Sequence, residues 1–175
     1  MALLSILQYP HPTLAKKSEP VSEFTESLKT LAKDMAETMY KAPGIGLAAP
    51  QVGRSIQLVV IDVTDEKNDL RVFVNPKVTV LDETPVVGEE GCLSLPDIYE
   101  KVSRPRKIQV DAQDLDGNPF TLVCEDLMAV CVQHEVDHLN GTVFIDHLSH
   151  LKKFRAAAKL AKMAKEKRRA KKHDA

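Results

Sequence analysis

The feature that most constrains this chain is the stretch from Cys131 to Gly141, which reads CVQHEVDHLNG. In a helix, His134 and His138 stand four residues apart on one face, so both imidazoles can reach one metal ion. Glu135 would then lie beside the metal and handle the proton of a metal-bound water. The alternative is a core helix with two histidines that are satisfied by hydrogen bonds.

Two histidines do not complete a metal site, so a third ligand has to come from elsewhere. In the longer motif H-E-x-x-H-x-x-G-x-x-H, the last position here is Phe144, which cannot bind metal. Glu166 is the only glutamate downstream, and it lies in a lysine-rich run typical of solvated surface. Cys131 shares the helical face, but its short thiol points a turn away. The third ligand is therefore expected upstream.

Composition and charge predict one domain with a basic end. With 175 residues and 43% apolar residues, the chain is long enough to bury a core. Residues 151–175 carry eleven lysines and arginines against two acids, whereas the first 150 residues carry 13 lysines and arginines against 23 acids. We predict a catalytic domain over residues 1–150 and a basic C-terminal helix over 151–175 that extends the same domain.

The sequence also indicates a compartment. The N-terminal MALLSILQYP has no basic residue and too short an apolar run for a signal peptide, and no stretch reaches the ~18 apolar residues of a membrane span. Three widely spaced cysteines do not suggest a disulfide framework. We expect a cytoplasmic protein without a membrane partner.

Periodicity predicts an amphipathic helix near the N-terminus, from a possible cap at Ser22 to a stop at Pro43-Gly44. Short strands with short connections follow, which favours antiparallel pairing over βαβ units. Asp116-Gly117-Asn118 is a hairpin signal that leads into the motif helix. The strands are expected over residues 56–62, 70–75, 77–82, 106–114 and 120–124.

The predicted fold class is therefore α+β. We expect antiparallel β-sheets packed around a central metal-binding helix, HEVDH, with an N-terminal amphipathic helix and a C-terminal helix. The motif helix should end at Asn140-Gly141, and the last helix should begin near Ser149. Its thin apolar stripe is expected to consist of Leu151, Phe154, Ala158 and Ala161.

Two further segments have compositions that suit a site. In GIGLAAPQVG, residues 44–53, the glycines and Pro50 exclude regular helix and let a ligand's backbone approach closely. Gln51 offers an amide donor from this loop. The alternative is a tight turn that feeds the following strand.

The second segment is EEGCLSLP, residues 89–96. Cys92, in an extended stretch closed by Pro96, can present its thiolate and the next backbone N–H without competing secondary structure. It is the upstream candidate for the third ligand, and a buried free cysteine is the alternative. Opposite charges flank the segment, and we predict that Glu90 and Arg104 pair across the site.

The segments GIGLAAPQ, EGCLSLP and QHEVDH occur here in order and complete, and they resemble the three signature motifs of the peptide deformylases. The resemblance covers essentially the whole chain, including its length. It favours Cys92 as a metal ligand over a passive core thiol. It implies a metal hydrolase that removes the formyl group from the N-terminal methionine of newly made polypeptides.

The resemblance also implies roles for individual residues. Cys92, His134 and His138 would hold one divalent metal and leave a fourth position for water, with Glu135 as proton carrier. The Gln51 amide and the Leu93 backbone N–H would receive charge on the formyl oxygen. Substrate-binding residues are expected to be Ile45, Gly46, Glu90, Leu127, Val130 and Cys131.

Thiolate plus two imidazoles suits Fe²⁺, Zn²⁺, Ni²⁺ or Co²⁺, and the resemblance implies ferrous iron. The expected partners are formyl-methionyl nascent peptides and the ribosome, the latter through the basic helix, as is thought for some deformylases; DNA is not expected. One alternative is a related amidase or esterase with a shifted substrate. Another is an RNA- or ribosome-binding module with a structural metal, although such a site normally has four protein ligands.

Overall fold

A computed structural model describes residues 2–173. Within them the chain forms three α-helices and a five-stranded antiparallel sheet in the order β1-β2-β3-β4-β5. The predicted α+β class is confirmed, with one sheet rather than several in the described residues. The elements are α1 (Glu26–Lys41), β1 (Gly46–Ala48), β2 (Leu58–Ile61), β3 (Arg71–Cys92), β4 (Leu95–Gln113), β5 (Pro119–Glu125), α2 (Asp126–Leu139) and α3 (His150–His173).

Helix α1 packs one face against the sheet. Its N-cap is Thr25, whose Oγ1 accepts a hydrogen bond from the Leu28 N–H at 3.3 Å, so the expected cap at Ser22 is wrong. Thr25, three residues later, takes this place because its short hydroxyl side chain can also satisfy a free N–H of the first turn. Leu31, Met35 and Met39 are buried against β1 and β2.

The long hairpin of β3 and β4 differs from the predicted short strands. Residues 70–75 and 77–82 were expected as separate strands, yet β3 runs unbroken over 22 residues and pairs with β4 almost throughout. The break suggested by Asn75 and Pro76 is a shift of register between Val74 and Lys77, because an irregularity can bend a strand without ending it. Likewise Pro96 lies inside β4 and does not close the segment.

Helix α2 follows β5 directly and carries the HEVDH motif. Its core face, with Ala129, Val132 and Leu139, packs among buried residues of β2, β3 and β4. The chain then turns at Gly141, which has φ +75. A Cβ there would lie 2.5 Å from the backbone oxygen of Ala15, so both the conformation and the close approach require glycine.

Helix α3 buries a different face from the predicted one. Leu151 and Phe154 are 57% and 71% exposed, whereas Ala156 and Leu160 are buried against β4 and the turn at residues 144–147. Two apolar stripes are possible on this helix, and the direction in which the chain leaves that turn selects between them. Residues 174 and 175 of the predicted tail lie outside the described part of the chain.

No helix in residues 2–173 combines the length and the apolar character that crossing a membrane requires.

Candidate active site

The end of β3 and the middle of α2 bring together three side chains that could hold a metal ion. Ligand atoms of Cys92, His134 and His138 all lie within 4.8 Å of one another. Cys92 Sγ is 3.3 Å from Nε2 of His138, and the two imidazole centroids are 5.2 Å apart. One thiol sulfur and two imidazole nitrogens around a common point fit a divalent transition metal.

A buried ion pair orients one of these histidines. Arg104 donates from Nε to Glu90 Oε2 at 2.6 Å and from Nη2 to Glu90 Oε1 at 2.8 Å, so the predicted pair is confirmed. Glu90 Oε1 also lies 3.0 Å from His134 Nδ1. Because a carboxylate accepts hydrogen bonds, Nδ1 carries the proton and Nε2 is left free to bind metal.

The ion pair remains charged although it is buried. Burial alone would raise the pKa of Glu90, but hydrogen bonds from Arg104 and His134 outweigh it and lower this pKa to about 2. Burial likewise disfavours the charged guanidinium, yet the hydrogen bond to Glu90 and the two nearby carboxylates leave the pKa of Arg104 raised. Removing either partner would leave an uncompensated buried charge.

The two histidines respond to their surroundings in opposite directions. Burial works against a charge on His134, but hydrogen bonds to Cys92 and Glu90 raise its pKa well above the usual value. Burial, followed by the nearby charges of His134 and Arg104, lowers the pKa of His138 well below it. With no ion at the donor group, a positive charge is therefore favoured on one of the two imidazoles and disfavoured on the other.

Glu135 lies beside the donor group without belonging to it. Burial raises the pKa of its carboxyl to about 7, while the charges of His134 and Arg104 act in the other direction. A Cβ added at Gly46 would come within 2.6 Å of Glu135 Oε1. Glycine at this position of β1 therefore leaves the room that the carboxylate occupies.

Gln51 is held by its own neighbours. Its Oε1 accepts from the Ala48 N–H at 2.9 Å, which fixes the orientation of the amide. Nε2 then points toward the metal donors, where it donates to Ser94 Oγ at 3.0 Å and lies 3.5 Å from Cys92 Sγ. Leu93 lies next to Ser94 in the two-residue turn between β3 and β4.

A cavity of about 290 Å³ opens onto these groups. The candidate metal donors Cys92 and His134 line it together with Gln51, Leu93 and Glu135. Burial raises the pKa of the Cys131 thiol to about 12, so that Cys131 is a neutral, weakly polar part of the wall. All six residues predicted to bind substrate also line the cavity: Ile45, Gly46, Glu90, Leu127, Val130 and Cys131.

Sequence reasoning missed Tyr99, which contributes an aromatic rim to the cavity and is 62% exposed. Its ring lies against Gly91, where an added Cβ would be 2.6 Å from Tyr99 Cε1. The available signal was Gly91 itself, since a glycine in a strand leaves room for a large side chain on the neighbouring strand. Also missed were the contacts of Asp137 with Arg104 and His147.

Comparison with known proteins identifies the family. The model of the polypeptide deformylase family matches residues 3–154, which include every residue of the candidate site. The chain belongs to the peptide deformylase family. The resemblance of its three motifs to deformylase signatures is thereby confirmed.

Curated deformylases resemble this chain over nearly its whole length. The peptide deformylase of Psychrobacter arcticus is 54% identical over 165 residues, covering 94% of this chain and 90% of that one. The peptide deformylase of Acinetobacter baumannii is 51% identical over 171 residues, covering 98% of this chain and 97% of that one.

The fold is likewise shared with a solved deformylase. The crystal structure of a peptide deformylase from Legionella pneumophila superposes with a TM-score of 0.90 at 46% identity, over 96% of this chain and 99% of that one. The deformylase family model ends at residue 154, near the start of α3.

Proposed function

We propose that this chain removes the formyl group from the N-terminal methionine of newly made polypeptides and releases formate. The observation that carries the proposal is a Cys, His, His donor group beside a cavity that is lined by two of its members, Cys92 and His134, and by Glu135 and Gln51, in a member of the deformylase family. Helix α2, with its HEVDH motif, is then the central metal-binding helix, with some of its side chains packed on the sheet and others lining the cavity.

Cys92, His134 and His138 would hold one divalent ion. When bound, such an ion lowers the pKa of a water ligand and polarises a carbonyl oxygen. Three protein donors among the described residues favour a catalytic site with an open position over a closed structural one. The thiolate and imidazoles suit Fe²⁺, Zn²⁺, Ni²⁺ or Co²⁺, and resemblance to deformylases supports Fe²⁺. Metal analysis of protein purified without oxygen tests this choice.

Glu135 is the proposed proton carrier. Its buried carboxylate would take a proton from the attacking water and return it to the methionine nitrogen as the C–N bond breaks. Its raised pKa, about 7, supports exchange of a proton near neutrality. A cation at the three donors would work in the opposite direction and keep the group ionised before the water attacks.

Two donors are proposed to stabilise the formyl oxygen as negative charge builds on it. They are Nε2 of Gln51 and the backbone N–H of Leu93, at the neighbouring turn. The hydrogen bond from Ala48 N–H to Gln51 Oε1 supports this role, because it fixes the amide with its donor end toward Cys92. Such donors contribute most when they do not have to reorient during the reaction.

Apolar side chains would hold the methionine. Leu127, Val130 and Cys131 line one wall of the cavity, and a neutral thiol at Cys131 suits a thioether neighbour. Ile45 and Gly46 would lie alongside the peptide backbone as an added strand. Glu90 also lines the cavity, but both its oxygens are engaged by Arg104 and His134, so we assign it to orienting His134 rather than to binding substrate.

A paired assay tests the function. The metal-loaded protein is expected to release formate from formyl-Met-Ala-Ser and to leave acetyl-Met-Ala-Ser intact, as the proposed function requires. Comparable cleavage of both peptides would favour an amidase with a shifted substrate. Metal retention without cleavage of either would favour the binding module with a structural metal.

Helix α3 is proposed to dock the enzyme on the ribosome from the cytoplasm, with residues 1–150 as the catalytic domain and 151–175 as its basic extension. Leu151 and Phe154 are exposed on α3 among basic residues such as Lys152 and Arg155, which supports an external polyanionic partner over a merely solvated helix. Docking would raise the effective concentration of emerging chains. Salt-dependent cosedimentation with ribosomes measures it.

A further inference from the structure

Behind the candidate metal site, hydrogen bonds connect His134 to the protein surface in one unbroken line. His134 Nδ1 contacts Glu90, Glu90 is held by Arg104, Arg104 Nη1 donates to Asp137 Oδ2 at 3.0 Å, and His147 Nε2 lies 2.8 Å from the same oxygen. The line joins β3, β4, α2 and the turn at residues 144–147. The inner half, Glu90 and Arg104, orients the proposed metal ligand His134. The outer half, Asp137 and His147, has no role in the proposed function.

Arg104 is the point where the two halves meet. Two of its nitrogens are used by Glu90, and the third, Nη1, reaches Asp137. Because the guanidinium is a rigid planar fork, the contact at Nη1 restricts the plane in which the other two nitrogens hold Glu90. The position of the Asp137 carboxylate is therefore transmitted to Glu90 and from there to the His134 ring.

Burial alone does not fix the position of the Asp137 carboxylate. Its side chain is 24% exposed at a second cavity of about 300 Å³, which is also lined by Ser103, Gln133 and His147. Water in such a cavity competes with Arg104 for the carboxylate. The His147 N–H donates to the same oxygen that Arg104 uses, and so restrains the carboxylate from a second direction.

We propose that His147 is a positioning residue of the metal centre. It acts through Asp137 and Arg104 on Glu90, the group that orients His134, and it touches neither substrate nor metal. The inference rests on the metal centre of the proposed function. It assigns a role to a histidine for which the sequence offers no motif or partner pattern.

Removal of the His147 donor is expected to loosen metal binding. Removing a direct partner of a ligand weakens metal affinity or activity by about 10- to 100-fold, and His147 acts further out, so we expect about a three- to tenfold faster release of metal. His147→Leu removes the donor. His147→Gln carries an amide nitrogen at nearly the place of Nε2, so it is expected to restore the hydrogen bond and the slow release.

The chain offers a matched control in the same region. Lys153 Nζ pairs with Asp146 at 2.6 Å. The two pairs are similarly exposed: the side chains of Lys153 and Asp146 are 41% and 29% exposed, and those of His147 and Asp137 are 40% and 24% exposed. Both pairs link the turn at residues 144–147 to a neighbouring helix, but only one leads to Arg104. Lys153→Met is therefore expected to release metal at the wild-type rate.

The experiment uses the full chain loaded with Co²⁺. The rate of cobalt release to an excess of chelator is measured, together with the visible absorption of the bound ion, which reports ligand geometry. We expect faster release and an altered spectrum for His147→Leu, and wild-type behaviour for His147→Gln and Lys153→Met. Release at the wild-type rate from His147→Leu, or equally fast release from the Gln variant, would overturn the inference.

A double variant tests the route. In an Asp137→Ala background, His147→Leu is expected to add nothing, because its path to Arg104 is already cut. Additive effects would mean that His147 acts by another route and would overturn the inference. If the wild-type protein binds cobalt and cleaves the formyl peptide, and all variants release cobalt at the same rate, this inference alone is wrong. Failure of the wild-type protein to bind cobalt would remove the proposed function as well.

Discussion

Helices α2 and α3 both carry amphipathic sequence, yet they serve the molecule differently. In α2, the core face packs on the sheet, and His134, Glu135 and His138 are buried on the rest of the helix. In the described part of α3, Ala156 and Leu160 alone are buried, and Leu151, Phe154 and most basic residues face solvent. Substitutions should therefore affect chemistry in α2 and stability or docking in α3.

The largest expected effect follows from Cys92→Ser at the donor group beside α2. A neutral hydroxyl is a poor replacement for thiolate, so the variant should lose most of its metal and its activity together. Metal content after dialysis and formate release measure both. Full occupancy and activity in the variant would return Cys92 to a passive core thiol.

Next in size is Glu135→Gln. The amide keeps the shape of the side chain but cannot take a proton, so we expect a folded, metal-loaded enzyme that is slower by about 10² to 10⁴. Metal content distinguishes this from the Cys92 variant. A Gln variant purified without metal would instead make Glu135 a ligand.

Gly46→Ala is expected to disturb the same carboxylate from the side of β1. The new Cβ would lie 2.6 Å from Glu135 Oε1, so Glu135 has to move away from its place beside the donors. We expect a loss in kcat of about tenfold or more, since misplacement by about 1 Å costs up to about 10²-fold. Gly88→Ala, where nothing lies within 4 Å of the added Cβ, is the control.

Two leucines of α3 compare its buried and exposed faces. Leu160 is 5% exposed in the cluster with Leu95 and Phe144, and Leu160→Ala should lower the free energy of unfolding by about 2 to 5 kcal/mol. Leu151 is 57% exposed, and Leu151→Ala should change the free energy of unfolding by less than about 0.5 kcal/mol. Urea denaturation checks both values. Equal losses would contradict the assignment of the buried face.

The smallest effect on hydrolysis is expected from neutralising the outer charges of α3. Replacing the exposed Lys152, Arg155 and Lys162 by glutamine should leave cleavage of a short formyl peptide unchanged. Ribosome affinity should fall, and the slope of log affinity against log salt should shrink by about one for each phosphate that is no longer neutralised. The matched control replaces Lys17, Lys33 and Lys41, which lie outside α3, by glutamine. Equal ribosome binding by both variants would favour the alternative that α3 is merely a solvated helix.

Much of the site was predictable because its spacing is local. The i, i+4 relation of His134 and His138 follows from helix geometry alone, and a glycine-rich loop and an extended cysteine segment indicate the other walls. The structure brings the three candidate donors within reach of one another and places the predicted substrate-binding residues around one cavity. The Glu90–Arg104 pair was foreseen from charge. Their catalytic roles stay predictions until the variants above are measured.

What the sequence alone determined is the family, the α+β class and the three candidate metal donors, since each depends on short motifs or on periodicity within one element. Tertiary structure decided the rest: the fusion of two predicted strands into β3, the placement of Tyr99 on Gly91, the buried face of α3, and the contact of His147 with Asp137. These features join residues distant in sequence. They depend on cross-strand register and on how one element packs against another, which no local pattern specifies.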